Sequence, residues 1–257
     1  MSGTNPLIDE RDAAFLLYEV FDAESLCRLP HFAEHTRETL DMYLQATREL
    51  AREVVFPTYK PMDEHPAYFE NGRVHSHPVL REVWPQIVEL GLINAHRPAA
   101  VGGQQVPLTV HNVAAAHMMA ANLSAFGYAM LTSGSARLIE AFGSDELKRT
   151  YMEPMYEGRW TGTMALTEPQ AGSNLADVQT KATPTGTGDY LISGNKVFIS
   201  GGDQTLTENI VHLVLARIAG APAGIKGISL FVVPRLRMQD GKLVPNDAHA
   251  AGTFHKL

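Results

Sequence analysis

Two short segments of this chain hold residues of the types that grip a flat, phosphate-bearing molecule. The first is Ala165-Leu-Thr-Glu-Pro-Gln-Ala-Gly-Ser-Asn174 and the second is Gly194-Asn-Lys-Val-Phe-Ile-Ser-Gly-Gly202. In the first, a strand is expected to enter a turn whose exit Pro169 sets. Gly172 lets the backbone come close to a ligand, so that successive N–H groups and the Ser173 hydroxyl can hold a phosphate. Thr167, at the strand end, offers a hydroxyl to the polar edge of a heteroaromatic ring. The second segment is expected to lie in a hairpin through Ser193-Gly-Asn195, with a strand from Tyr190 to Ser200. Alternation then puts Val197 and Ile199 on one face and Phe198 with Ser200 on the other, an aromatic and a hydroxyl side by side. Each segment also has a plain structural reading. The first is equally a strand-to-loop turn with Glu168 in solvent, and Phe198 is equally a core residue.

Other candidate chemistry is thinner. His111 and His117 are six residues apart, on different faces of a helix, which suits two satisfied buried groups better than a shared metal. His31 and His35 have i, i+4 spacing but lack the glutamate of a zinc-binding helix motif, so no metal is expected. No P-loop and no strand followed by GxGxxG is present, and Gly134-Ser-Ala-Arg137 lacks the final glycine of a nucleophile elbow. Cys27 is the only cysteine, which excludes an intrachain disulfide and a cysteine zinc site, and a packing role is expected for it.

The elements that must position the two segments change character along the chain. Thr39 to Val55 places Leu40, Tyr43, Leu44, Thr47 and Val54 at three- and four-residue steps, a helix that Pro57 and Pro61 are expected to end. Asn71-Gly72 reads as a tight turn. His77 to Gly91 is a further helix with Gly91 as its C-terminal cap. Two more are expected over Val110 to Met119 and, buried, over Leu123 to Phe142. Ser144 caps another, with Asp145 and Glu146 in its first turn. From Trp160 the period turns to that of strands, at Thr161–Thr167, Tyr190–Ser200, Asn209–Arg217 and Gly227–Val233, with turn chemistry at Gly186-Thr-Gly-Asp189. Helices followed by strands, without alternation, give an α+β chain. The division expected is an all-helical domain over residues 1–160 and an incomplete antiparallel β-barrel-like domain over 161–257. The four strands leave open edges and the chain stops at Thr253-Phe-His-Lys-Leu257, so a fragment is expected.

Composition narrows the function. The 257 residues are 45% hydrophobic and 19% charged, ordinary for a soluble protein, and the formal charge of -7 argues against a nucleic-acid surface. No Asp, Glu, Lys or Arg occurs between Pro98 and Ala136, yet His111, Asn112, His117, Asn122 and Ser124 would be costly in lipid, so no membrane span is expected. The N-terminus lacks the layout of a signal peptide, and a cytoplasmic location is expected.

Taken in order, Phe142-Gly-Ser-Asp-Glu-Leu-Lys148, Leu166-Thr-Glu-Pro-x-Ala-Gly-Ser173 and Gly194-Asn-Lys-Val-Phe-Ile-Ser200 strongly resemble the acyl-CoA dehydrogenase family, and the likeness covers nearly the whole chain. Phe15-Leu-Leu-Tyr-Glu-Val-Phe-Asp22 and Leu206 to Arg217 resemble the N-terminally extended subgroup that includes 3-methylmercaptopropionyl-CoA dehydrogenases. The resemblance implies α,β-dehydrogenation of an acyl-CoA thioester, with FAD bound between a middle β domain and a C-terminal helical domain. It places Met164, Leu166, Thr167, Phe198 and Ser200 around the flavin, Ser173 at the FAD pyrophosphate or the CoA, and Gly127, Met130 and Gly134 along the acyl pocket. It implies an electron-transfer flavoprotein as electron acceptor and a homo-oligomer when complete. It puts the catalytic base and half of the FAD site in a C-terminal domain beyond this chain, so that no catalytic residue is expected here and the chain alone is expected to retain flavin poorly and to be inactive. Asn174 departs from the family, which carries Asp there, and a looser turn is expected from it. Two other readings stay open: a non-catalytic flavoprotein of the same fold with a nucleic-acid-linked role, and one with a partner-binding role.

Overall fold

The computed structural model describes residues 7–246, and the expected chain end at Thr253–Leu257 lies outside them. Backbone contacts divide the chain into two compact units. One comprises the residues up to Ala67 together with Ser76–Met130, and the other Tyr68–His75 with the residues from Leu131 onward.

The first unit is helical. It opens with α1 (Glu10–Ala14), which runs into a π-helical turn over Phe15–Val20. Helix α2 (Arg37–Glu49) starts at a reciprocal cap, in which Thr36 Oγ1 accepts the Thr39 N–H at 3.3 Å and Thr39 Oγ1 accepts the Thr36 N–H at 2.9 Å. Leu40, Tyr43, Leu44 and Thr47 form its buried stripe. The helix expected over Thr39–Val55 does end at Val55, ahead of Pro57, whereas Pro61 ends no helix. The chain continues through a π turn (Leu50–Val55) and a 3-10 turn (Phe56–Thr58) into α3 (Tyr59–Glu64). Both prolines sit in first turns, where a missing N–H costs no intrahelical bond. Helix α4 (Leu80–Glu89) buries Leu80, Val83, Trp84 and Ile87, and Gly91 follows it at φ 73°.

The two helices expected beyond Gly103 are both present within the stretch α5 (Leu108–Phe142), and they meet at a kink where Asn122 leaves helical angles (φ -164°, ψ 98°). Asn122 is buried and acts as an internal cap: its Oδ1 accepts the Ala125 N–H at 3.2 Å, and its Nδ2 donates to Thr58 Oγ1 at 2.9 Å. His111 is the satisfied buried group expected, with the Tyr43 hydroxyl 3.0 Å from its Nδ1, and burial lowers its pKa to about 4. His117 is also buried, Cys27 is half-buried, and His35 Nε2 lies 2.8 Å from the Gln104 carbonyl. Among the described residues, no helix is long and apolar enough to cross a membrane.

The second unit includes a hairpin, β1 (Tyr68–Glu70) and β2 (Arg73–His75), turned at Asn71-Gly72 as expected. After α5 come α6 (Asp145–Leu147), capped by Ser144 Oγ accepting the Leu147 N–H at 3.3 Å, and α7 (Glu153–Tyr156). The strands are β3 (Trp160–Ala165), β4 (Lys181–Pro184), β5 (Tyr190–Ser193), β6 (Asn209–Ile218), β7 (Ile228–Pro234), β8 (Leu236–Gln239) and β9 (Lys242–Pro245). Central β6 pairs with β3 and, at its far end, with β4, while β7 covers its other edge and β5 extends β4. The helical part followed by a partly open sheet is the α+β order expected. The ladders differ in direction: β6–β7 and β4–β5 are antiparallel, but β3–β6 and β4–β6 are parallel. A direct hairpin forces antiparallel pairing, whereas β3 reaches β6 only by a long crossover, which permits parallel pairing.

The strand expected from Tyr190 to Ser200 stops at Ser193, and the β4–β5 hairpin turns at Gly186–Asp189 instead of at Ser193-Gly-Asn195. Gly194 passes so close to Thr180 that a Cβ would lie 2.3 Å from its Oγ1, and from there the chain leaves the sheet.

Strand β3, which delivers the first segment, is fastened to the end of α5. The Gly162 N–H donates to Thr132 Oγ1 at 3.1 Å, and a Cβ at Gly162 would lie 2.5 Å from Ser135 Cβ and 2.9 Å from Met155 Sδ. Gly162→Ala is therefore expected to destabilise the chain by about 1–3 kcal/mol through overpacking. Adding Ser135→Gly should recover most of that loss, leaving about 1 kcal/mol for a helical glycine. Urea denaturation of wild type and the two variants measures both terms, and equal stabilities of Gly162→Ala and wild type would refute the close contact.

Candidate functional site

The site is built on a buried carboxylate. Glu168 begins a tight turn in which its N–H donates to the Ala171 carbonyl at 2.8 Å and the Ala171 N–H returns a bond at 3.1 Å. Its side chain folds inward and is 4% exposed, which corrects the reading with Glu168 in solvent. Oε1 accepts from the Thr180 hydroxyl at 2.6 Å, the Thr180 N–H at 3.0 Å and Lys196 Nζ at 2.8 Å. Oε2 accepts from Gln170 Nε2 at 2.6 Å and the Gln179 N–H at 2.7 Å. Burial by itself would raise the Glu168 pKa. The bonds from Lys196, Thr180 and Gln179 outweigh it and hold the carboxyl at about 2.

Lys196 joins the two segments. Besides Glu168, its ammonium donates to the Leu166 carbonyl at 3.0 Å, and the next residue, Val197, donates its N–H to the Thr167 carbonyl at 2.9 Å. Val197 is buried, which anchors the second segment beside the first. Farther along, Asn174 Oδ1 accepts the Ala176 N–H at 3.3 Å and its Nδ2 donates to Asp177 Oδ2 at 2.8 Å. The expected loosening at Asn174 is not seen: the amide caps the turn and recruits a carboxylate, a donation that aspartate cannot make. Arg217 of β6 completes the fastening by donating to the carbonyls of Val178 at 2.7 Å and Ala176 at 2.6 Å.

What this framework leaves available is informative. Met164, Leu166 and Thr167 are half-buried, while Gly172, Ser173, Phe198 and Ser200 are exposed. Among the described residues, the hydroxyls of Thr167, Ser173 and Ser200 make no hydrogen bond, and a Cβ on Gly172 would meet nothing within 4 Å. Phe198 stands at φ 59° with 82% of its surface exposed, which corrects its reading as core. The alternation expected around it survives in burial, although the backbone is not a strand. Thr167 and Phe198 are brought onto adjacent, directly bonded segments. Gly127, Met130 and Gly134 lie on α5, Met130 and Gly134 exposed and Gly127 half-buried, with open space where a Cβ on either glycine would stand. The arrangement offers hydroxyl donors and one aromatic face, with Glu168 already saturated as an acceptor. Sequence reasoning missed Lys196 and Thr180. The available signal was a lone lysine in an otherwise apolar and small-residue run, two places from a glycine forced close to Thr180.

Residues 37–159 match the N-terminal domain of acyl-CoA dehydrogenase and residues 163–253 match its middle domain. A 3-methylmercaptopropionyl-CoA dehydrogenase of Ruegeria pomeroyi is 38% identical over 232 residues, 90% of this chain and 39% of the relative. A glutaryl-CoA dehydrogenase of Mycobacterium smegmatis aligns with a TM-score of 0.62 at 26% identity, over 79% of this chain and 46% of that one. A structure of glutaryl-CoA dehydrogenase from the same organism, in complex with FADH2, gives 0.63 at 20% identity, over 84% of this chain and 48% of that one, a likeness of fold. The chain thus spans between two fifths and one half of the relatives it matches.

The Glu168 network makes a pH prediction. A carboxyl lowered from 4.5 to about 2 on folding stabilises the native state fully above about pH 4.5, and that contribution is lost as the pH falls toward 2. At neutral pH it amounts to about 3 kcal/mol. Urea midpoints of wild type and Glu168→Gln should differ most above pH 5 and converge as the pH approaches 2. A difference that stays constant across that window would contradict the assignment.

Proposed function

The chain belongs to the acyl-CoA dehydrogenase family, and from that premise we propose that its second unit forms one wall of an FAD site serving α,β-dehydrogenation of an acyl-CoA thioester. The observation that carries the reading is the pair of bonded segments 166–173 and 196–200, tied together inwardly through Lys196 and Val197 while the Thr167, Ser173 and Ser200 hydroxyls and the Phe198 ring stay available. Those residues fit a flavin: donors suit its polar edge and phosphates, and an aromatic face suits its ring.

In this reading Thr167 and Ser200 donate to the polar edge of the ring, and the Leu166 N–H adds a backbone donor. Met164 and Phe198 exclude water from the ring. Ser173 holds a phosphate oxygen of the cofactor or of CoA, and Gly127, Met130 and Gly134 leave room for the acyl chain. Bound FAD supplies the hydride acceptor. Removal of the α-proton requires a carboxylate with a free lone pair and a pKa nearer neutrality. Glu168 has neither, since five donors occupy it and its pKa is about 2. Glu168 is therefore not that base; the family resemblance puts the base in a C-terminal domain outside this sequence and has an electron-transfer flavoprotein take the electrons onward.

Titration with FAD, followed by flavin fluorescence, tests the wall. Thr167→Ala should weaken binding by about tenfold for the lost bond, and Phe198→Ala by about fivefold for the lost ring contact. Dye reduction with an acyl-CoA tests the base: the chain by itself should give none. Turnover by the isolated chain, or FAD affinity unmoved by both substitutions, would overturn the reading.

A further inference from the structure

The loop from Gly194 to Asp203 is held near both ends by ion pairs largely withdrawn from water. At its start, the Lys196 and Glu168 side chains are 11% and 3% exposed and meet at 2.8 Å. At its end, Asp203 Oδ1 lies 3.2 Å from Arg235 Nη1, with those side chains 4% and 17% exposed. The other oxygen of Asp203 accepts the Val74 N–H of β2 at 2.8 Å, which pins the loop to the β1–β2 hairpin. Between the two pairs, Val197 is buried and the Gly202 N–H closes a turn on the Ile199 carbonyl at 3.1 Å.

At the centre of this bridge Phe198 occupies the left-handed region at φ 59° while its ring is 82% exposed. That conformation is costly for an aromatic residue and persists only where its surroundings impose it. Burial of the ring cannot be what imposes it here. What imposes it is a loop only a few residues long, fixed at both ends by charged anchors and between them by the Val197 N–H bond to Thr167 and the Ile199–Gly202 turn.

We propose that the Lys196–Glu168 and Arg235–Asp203 pairs are a two-ended clamp that forces Phe198 into its left-handed conformation and so fixes its ring, with the Ser200 hydroxyl, for contact with bound flavin. The proposal rests on the flavin reading above and adds Lys196 and Asp203 as positioning residues that act through the loop and touch no cofactor.

Hydrogen exchange of the chain without flavin, followed by mass spectrometry, reads the clamp directly. Lys196→Met removes one anchor. Asp203→Asn removes the charge of the other but keeps an oxygen for Val74. In each variant, exchange over 194–203 should rise about tenfold while that over 209–218 stays at the wild-type rate. FAD titration reads the consequence. Each substitution should weaken binding by about tenfold, but by less than about twofold in a Phe198→Ala background, where the positioned ring is gone. If Lys196→Met fails to fold, Asp203→Asn carries both measurements. Unchanged exchange over 194–203, or equal losses of affinity with and without the Phe198 ring, overturns the clamp. A wild-type chain that takes up no FAD, even weakly, overturns the flavin reading instead, and the exchange measurement still decides the clamp.

Discussion

The geometry of the candidate site depends on one buried ion pair, Glu168 with Lys196. Desolvating a carboxylate is expensive and is tolerated only where donors replace the lost water. Here Thr180, Gln179, Gln170 and Lys196 replace it completely, and each donor belongs to a segment that would otherwise be a loose loop. The cost of burying the charge is thereby turned into order. The turn at Pro169, the approach to Thr180 and the loop beyond Gly194 all converge on one carboxylate.

That convergence explains how a site can be rigid where the sheet gives out. The ladder of β3 ends at Ala165, and β5 ends at Ser193. Past those points the backbone has no strand neighbours to satisfy it, and side chains take over. Lys196 caps the Leu166 carbonyl, Arg217 caps those of Ala176 and Val178, and Asn174 caps the Ala176 N–H. A fully regular sheet would have used these polar groups in ladders and turned Phe198 toward a core or a neighbouring strand. The irregularity is what leaves hydroxyls and an aromatic ring available to a ligand.

In the helical unit the same principle works on a smaller scale. The uncharged run from Pro98 to Ala136 shows continuous apolar character but no amphipathic stripe from which to judge continuity. The sequence pattern breaks near Asn122, and the break is real in backbone angle. A second helix starts there at once, because the Asn122 side chain caps it while donating to Thr58, 64 residues away in sequence. Pro57 is legible as the end of the helix through Val55, but Pro61 falls in the first turn of α3, where a proline breaks nothing.

From the sequence alone came the order of helices and then strands, the positions of β3, β6 and β7, the caps at Ser144 and Gly91, and the two segments of the candidate site. These rest on short-range rules of period, capping and turn chemistry, and such rules are written in neighbouring residues. The tertiary structure alone decided that Glu168 is buried and saturated, that Lys196 is its partner, that β3 and β6 run parallel, and that Phe198 leaves the sheet in a left-handed conformation. Each of these turns on a contact between residues far apart in sequence. A lysine and a glutamate 28 positions apart read as two surface charges until folding removes the water between them.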